Sequence, residues 1–187
     1  MTVISIVHTK GGVGKTTTAM YLAVAAAKRG IDVCVLDADP QRSALDWKED
    51  TDGGLPFPVL EASKNLDIPD HDLVLIDTPP GTAGVIQKAV DIADLVIIPC
   101  GPSPVDVRRV WPTLQIATTS KKHSAVLLTQ VDLRTRLGEE VRSALTEAGQ
   151  DVIHTPIIRR ERVRRDYGTV PSNLNGYDDV LAELVNV

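Results

Sequence analysis

The run Lys10-Gly11-Gly12-Val13-Gly14-Lys15-Thr16-Thr17 sets the tightest limit on how this chain can fold. Its glycines let the backbone curl until several N–H groups converge on one point, a geometry that an anion satisfies. Lys15 adds a point charge suited to β- and γ-phosphates, and the Thr16 hydroxyl is placed to ligate Mg²⁺. Such a loop belongs between a strand and a helix, where free amide donors and the helix dipole both favour negative charge. The flanks supply both. Val3–Val7 is a short apolar run suited to a buried parallel strand. Gly14–Arg29 follows, with Ala19, Leu22, Ala23, Ala26 and Ala27 at helical spacing before Gly30 ends the helix. Gly11, Gly12, Val13, Gly14, Lys15, Thr16 and Thr17 are therefore the residues expected around a nucleotide's phosphates.

The general pattern G-x-x-x-x-G-K-[ST] asks for glycine at position 9, where Thr9 stands, so only the deviant form K-G-G-x-G-K-[ST] holds. Lys10 is then the informative residue. Gly11 to Thr16 already form the loop, so a long cation at its start is most useful if it reaches another nucleotide, or a partner's phosphate, across an interface.

Apolar strand segments are expected at Val3–Val7, Val33–Leu36, Pro58–Leu60, Leu73–Ile76, Leu95–Ile98, Ala125–Thr129 and Val152–His154. Helices are expected at Gly14–Arg29, Arg42–Glu49, Thr82–Val90, Pro104–Ser120 and Arg134–Glu147, with two more at Arg159–Tyr167 and Tyr177–Asn186. Pro112 should kink or split its helix. This alternation argues for an α/β fold, an open, mostly parallel twisted sheet with helices on both faces. The 187 residues contain no repeat, low-complexity tract or long linker, so one domain over 1–187 is expected. Aromatics are 3% of the chain, which leaves Val, Ile, Leu and Ala to build the core. Cys34 and Cys100 lack metal or redox spacing and read as buried thiols in a reducing compartment. The four histidines have no metal-like spacing either.

Two acidic positions complete a phosphate chemistry. Asp77 ends the run Leu73–Ile76, so its carboxylate emerges at the strand's C-terminal edge, where ligands sit in open α/β sheets and where it can hold Mg²⁺ through water. Asp37 and Asp39 follow a second strand two residues apart and face the same way. One of them would act in catalysis and the other would support it.

Lys10 through Thr18, Val35-Leu36-Asp37-Ala38-Asp39-Pro40-Gln41, Ser43 to Trp47, and Leu73 to Gly81 stand in an order and spacing that resembles the ParA/MinD family of deviant Walker-A ATPases. Asp-x-Asp-Pro-Gln is more similar to the plasmid and chromosome partition branch, while His8-Thr9 stands where the family often has Asn-Gln. The resemblance implies ATP and ADP as ligands with Mg²⁺, the metal being approached by Thr16, Asp39 and Asp77. It implies Asp39 as the carboxylate that positions the attacking water, with Lys10 and Lys15 as catalytic cations. It places the adenine pocket near Thr129-Gln130-Val131-Asp132 and Pro156-Ile157-Ile158, and makes Thr78-Pro79-Pro80-Gly81 a switch that senses the γ-phosphate. The implied assembly is an ATP-dependent homodimer that binds DNA non-specifically and is stimulated by a centromere-binding adaptor. Alternatives are a positioning ATPase for a non-DNA cargo or a metabolic P-loop enzyme. The missing C-x-x-C opposes a metal-cluster scaffold, and Lys10 with Asp-Pro-Gln opposes a ligase.

Arg159, Arg160, Arg162, Arg164 and Arg165 lie close together in a chain of net charge −5, as a sequence-independent DNA footprint requires. On a helix they do not share one face, and Glu161–Arg165 has ion-pair spacing, so a solvated or nucleotide-contacting cluster stays open. Tyr177 to Val187 carries Asp178, Asp179 and Glu183 and no Lys or Arg. Its stripe of Val180, Leu181 and Leu184 suits docking on the core and not on a membrane, which wants basic residues opposite the stripe. With no apolar signal segment and no N-terminal helix-turn-helix module, a cytoplasmic protein that associates with the nucleoid when ATP-bound is the expectation.

Overall fold

The computed structural model describes residues 1–81 and 83–185. Seven strands form one sheet: β1 (Thr2–Ile6), β2 (Val33–Asp37), β3 (Val59–Glu61), β4 (Leu73–Asp77), β5 (Leu95–Cys100), β6 (His123–Leu128) and β7 (Asp151–Val152). Their order is β3-β2-β4-β1-β5-β6-β7 and every pairing is parallel. Helices α1 (Lys15–Lys28), α2 (Ser43–Asp50), α3 (Ala83–Ile92), α4 (Pro104–Thr119), α5 (Leu137–Glu147), α6 (Glu161–Arg165) and α7 (Tyr177–Val185) join and cover the strands.

The central strands are apolar at consecutive positions because both faces are buried. On one face Ile4, Ile6, Val33, Val35, Leu73 and Leu75 pack under α1, α2 and α7. On the other, Val7, Val96, Ile98, Val126 and Leu128 pack under α3, α4 and α5, with Val3, Val74 and Ile76 beside them. The run of alanines in α1, Ala23 to Ala26, is fully or almost fully buried, so this helix lies close to the sheet. Chain order reverses about β1, with β2 to β4 on one side and β5 to β7 on the other, which opens a crevice at its C-terminal end.

Several expected elements shift. β3 is Val59–Glu61 and not Pro58–Leu60, and β7 is only Asp151–Val152. The segment expected to be helical from Arg134 starts at Leu137, because the Arg134 backbone and guanidinium both bond to the Asp132 carboxylate in a tight turn. The Arg159–Tyr167 helix contracts to Glu161–Arg165, since Arg159 is held extended by its N–H bond to the Val131 carbonyl, 2.9 Å. Pro112 does not split α4: it and Arg108, whose carbonyl it leaves without a helical N–H, both lie on the exposed side where water can serve. Thr82 and Asn186, expected at helix ends, lie outside the described residues.

Helix α7 docks on α1. Tyr177, Val180 and Leu181 are buried, with the Tyr177 ring 4.9 Å from that of Tyr21. Leu181→Ala should therefore cost about 2–5 kcal/mol of unfolding free energy, as core truncations do, read as a lower urea midpoint at unchanged slope. A change below about 0.5 kcal/mol, the range of surface substitutions, would mean that this face is not buried.

Candidate functional site

The loop at the end of β1 owes its shape to glycines in the left-handed region. Gly12 (φ 74°) and Gly14 (φ 95°) take conformations that side chains disfavour. Gly14 precedes α1 with no side-chain cap, so the N–H groups of the first turn remain available to an anion. Two side chains from the end of β6 brace the loop from below. Thr129 Oγ1 donates to the Val13 carbonyl, 3.0 Å, and Gln130 Nε2 to that of Gly12, 3.1 Å.

Lys15 is buried, and its ammonium donates to the Lys10 carbonyl, 3.3 Å, across the mouth of the loop. Burial lowers its pKa, opposed by the charges of Asp77 and Asp39. Thr16 Oγ1 donates to Asp77 Oδ2, 2.6 Å, while Asp77 Oδ1 is buried and unpartnered among the described residues. Burial pushes the Asp77 carboxyl up to about 7, against the Thr16 hydrogen bond, and the charge of Asp37 adds to the rise. A buried carboxylate with a free oxygen beside a threonine hydroxyl fits a Mg²⁺ ion that keeps several waters and takes its other oxygens from phosphate. No cage of three or more His, Cys, Asp or Glu occurs among the described residues, as that mode of binding does not need one.

The loop opens into a cavity of about 570 Å³, whose other walls include Asp39, Gln41, Ser43, Trp47, Pro80 and Gln130. Ile157, Ile158, Val163, Tyr167 and Tyr177 also line it. Asp39 is half-exposed at the rim and accepts from the Gln41 N–H, 2.9 Å. Asp37, expected beside it, is engaged elsewhere. Its carboxylate accepts from the N–H groups of Asp39, Ala44 and Leu45 at 3.0, 2.9 and 3.1 Å, which fixes the start of α2. Of the two, only Asp39 has its carboxylate at the cavity.

Pro156, expected at the nucleotide, does not line this cavity and faces a separate groove with Asn173 and Asn175; its neighbour Ile157 takes the cavity side, while Ile158 and Arg160 border both. The arginines divide likewise. Arg159, Arg160 and Arg164 line the cavity, whereas Arg160 and Arg162 line the groove, and Arg165 is paired with Glu161 at 2.6 Å. Arg162 also bonds to Ser172 Oγ.

Two features are not readable from the sequence. Four of the six aromatic residues, Tyr21, Trp47, Tyr167 and Tyr177, form one cluster and three of them line the cavity, although nothing in their spacing joins them. His8, buried at the end of β1, accepts the Lys10 N–H on Nδ1, 2.8 Å, which leaves the proton on Nε2. Burial, followed by the charge of Lys15, lowers its pKa to about 4, so it is neutral at pH 7.

Comparison with known proteins agrees with this geometry. Residues 4–169 match the CobQ/CobB/MinD/ParA nucleotide-binding domain. The chain belongs to that family. A carboxysome distribution protein A from Gloeobacter kilaueensis is 38% identical over 152 residues, covering 77% of this chain and 69% of the relative. A ParA protein from Rhizobium radiobacter is 32% identical over 178 residues, covering 86% and 79%. Among solved structures, a plasmid partition protein from Borrelia burgdorferi bound to AMPPNP superposes with a TM-score of 0.84 over 99% of this chain and 98% of that one, at 18% identity. That last likeness establishes the fold.

If the Asp77 carboxylate must ionise to receive the cation, nucleotide-dependent Mg²⁺ affinity should fall by roughly tenfold between pH 8 and pH 6, since a group of pKa near 7 goes from mostly ionised to mostly protonated over that range. Calorimetric Mg²⁺ titrations with ADP present should show this in the parent protein. Asp77→Asn should bind Mg²⁺ weakly at both values, and an equal pH slope in that variant would assign the effect to the nucleotide alone.

Proposed function

We propose that the chain is a Mg²⁺-dependent ATPase of DNA partition, which pairs into a sandwich dimer when ATP is bound. The observation that carries this reading is the position of Lys10. The amides of the loop, Lys15 and Thr16 would already surround one set of phosphates, and the Lys10 ammonium points away from that cavity toward α4, partly exposed. A cation aimed out of its own site is suited to a second one, that of the facing subunit.

Asp39 would accept a hydrogen bond from the attacking water and hold it in line with the γ-phosphorus, a role that needs a carboxylate free of other strong donors. Lys15 and the loop amides would hold the non-bridging oxygens where charge builds as the bond to the β-phosphate oxygen breaks. Thr16 and Asp77 would hold a Mg²⁺ ion, which when bound would supply positive charge to neutralise the phosphates. Pro80, against Gly11 at the cavity mouth, brings the 78–81 turn within reach of the same phosphate. DNA would lie along the groove of Arg160 and Arg162, whose neighbours Asn173 and Asn175 are also donors to phosphate oxygens. Hydrolysis stimulated by a centromere-bound adaptor would separate the dimer and release the DNA. A second reading, positioning of a protein compartment by the same cycle, is favoured by the 38% identity to a carboxysome distribution protein. It differs in the cargo and not in the chemistry.

Asp39→Ala should still bind ATP but turn over at least about 10²-fold more slowly, the usual loss for a general base, and should accumulate as an ATP-bound, DNA-bound dimer. In that background, Arg160→Ala with Arg162→Ala should weaken binding to all DNA sequences alike. It should also lower the slope of log affinity against log salt by about 0.9 for each phosphate that is no longer neutralised. Undiminished DNA affinity in the double variant would remove the groove from the DNA surface, and wild-type turnover in Asp39→Ala would move the catalytic role elsewhere.

A further inference from the structure

Lys10 is not free in solvent. Its ammonium donates to Asp106 Oδ1 at 2.6 Å, and the two residues lie 96 positions apart in the chain. The acid is held in place from three sides. Ser103 caps α4 by accepting the Asp106 N–H, 3.2 Å, and its hydroxyl donates back to Asp106 Oδ2, 2.6 Å. Gly101, at the end of β5, presents no side chain where the carboxylate sits: a Cβ there would come within 2.5 Å of Oδ2. His8 fixes the other partner by accepting the Lys10 backbone N–H. A charged pair built from two separately anchored ends does not form by chance alignment of long side chains. The Asp106 side chain is 16% exposed and that of Lys10 39%, so the bond is partly shielded from water. Burial alone would raise the Asp106 pKa, yet the hydrogen bonds from Lys10 and Ser103 leave it lowered, so the carboxylate is an anion at neutral pH.

The Asp106 carboxylate already neutralises and positions the Lys10 ammonium, so a phosphate across an interface must compete with it for that cation. We propose that Asp106 is an intramolecular stand-in for that phosphate, a latch that holds Lys10 in the unpaired subunit and sets the threshold for ATP-driven pairing. This rests on the reading of Lys10 given above and adds its regulation. The chemistry is a competition between two anions for one cation. A triphosphate with its metal carries more negative charge near Lys10 than one carboxylate does, and a diphosphate, lacking the γ-group, does not extend far enough to compete. The latch thereby penalises pairing in the ADP-bound and nucleotide-free subunits while permitting it with ATP. Opening it also removes the counter-ion from the first turn of α4, so the start of that helix registers whether Lys10 has left.

The latched population lowers the fraction of subunits competent to pair, and removing the latch restores it. A partly exposed ion pair is worth roughly a three- to fivefold shift in such an equilibrium, and two latches open in each dimer, so the expected gain is about ten- to twenty-fivefold. The experiment is sedimentation equilibrium with ATP and Mg²⁺ in the slow-turnover Asp39→Ala background, comparing the parent, Lys10→Ala, Asp106→Asn and the Lys10→Ala/Asp106→Asn pair. Asp106→Asn should lower the dimer dissociation constant about ten- to twenty-fivefold, by the same reckoning. The paired variant should match Lys10→Ala alone, because without the lysine there is nothing to release. Gly101→Ala, which displaces the carboxylate without removing it, should move pairing in the same direction as Asp106→Asn, and it decides the matter if Asp106→Asn folds poorly. Pairing unchanged or weakened in both Asp106→Asn and Gly101→Ala, with Lys10→Ala unable to pair, would overturn the latch and leave the sandwich intact. A Lys10→Ala protein that pairs like its parent would overturn the sandwich itself, and the latch with it.

Discussion

Backbone amides left without acceptors are costly wherever water cannot reach them, and the loop from Gly11 to Thr16 gathers several at one point. The rest of the structure is arranged so that an anion can meet them. Left-handed glycines aim the N–H groups inward, and Thr129 and Gln130 fix the loop's carbonyls from the far side. Asp77 is buried one strand away, with one oxygen on Thr16 and the other unpartnered among the described residues. This carboxylate is poorly solvated as an anion, and Lys15 is poorly solvated as a cation. A metal-bound phosphate would compensate both, the metal facing the carboxylate and the phosphate facing the ammonium.

The same cavity is tied to the arginine segment by contacts that pass through the aromatic cluster. Tyr21, on α1, donates to Asp166 at 2.6 Å, and the Trp47 indole, on α2, donates to the Thr169 carbonyl at 2.8 Å. Tyr167 lies against Trp47 with ring centroids 5.1 Å apart. α2 in turn starts on the Asp37 carboxylate, which also holds the Asp39 backbone. Asp39 and the arginine segment thus share one mount. A side chain in the middle of it, such as Trp47, is as much part of the site as the residues that reach the ligand.

Much of this is legible in the sequence, and the reasons differ from part to part. The phosphate loop, the strand before it and Asp77 are readable because local spacing alone determines their geometry. The parallel sheet follows from apolar runs between helical segments, since strands covered on both faces cannot alternate. Boundaries slip where a side chain competes with the helix, as Asp132 does by capturing Arg134. The arginine cluster is visible as composition. Its division between a cavity and a groove is not, because that depends on Arg159 being pinned in extended form by Val131. Asp106 is least visible of all. Ser103 and Asp106 have the spacing of a capped helix start, and only the fold brings that start to Lys10.

Pairing, hydrolysis and the Lys10 latch all require that the loop be a working phosphate site, and the most direct measurement is a calorimetric titration of Mg·ATP into the parent protein and into Lys15→Ala. Loss of a buried cation that makes charge-assisted bonds to phosphate should weaken binding by roughly a hundredfold while the protein keeps its fold. A folded Lys15→Ala protein that binds ATP as tightly as its parent would contradict the mechanism at its base.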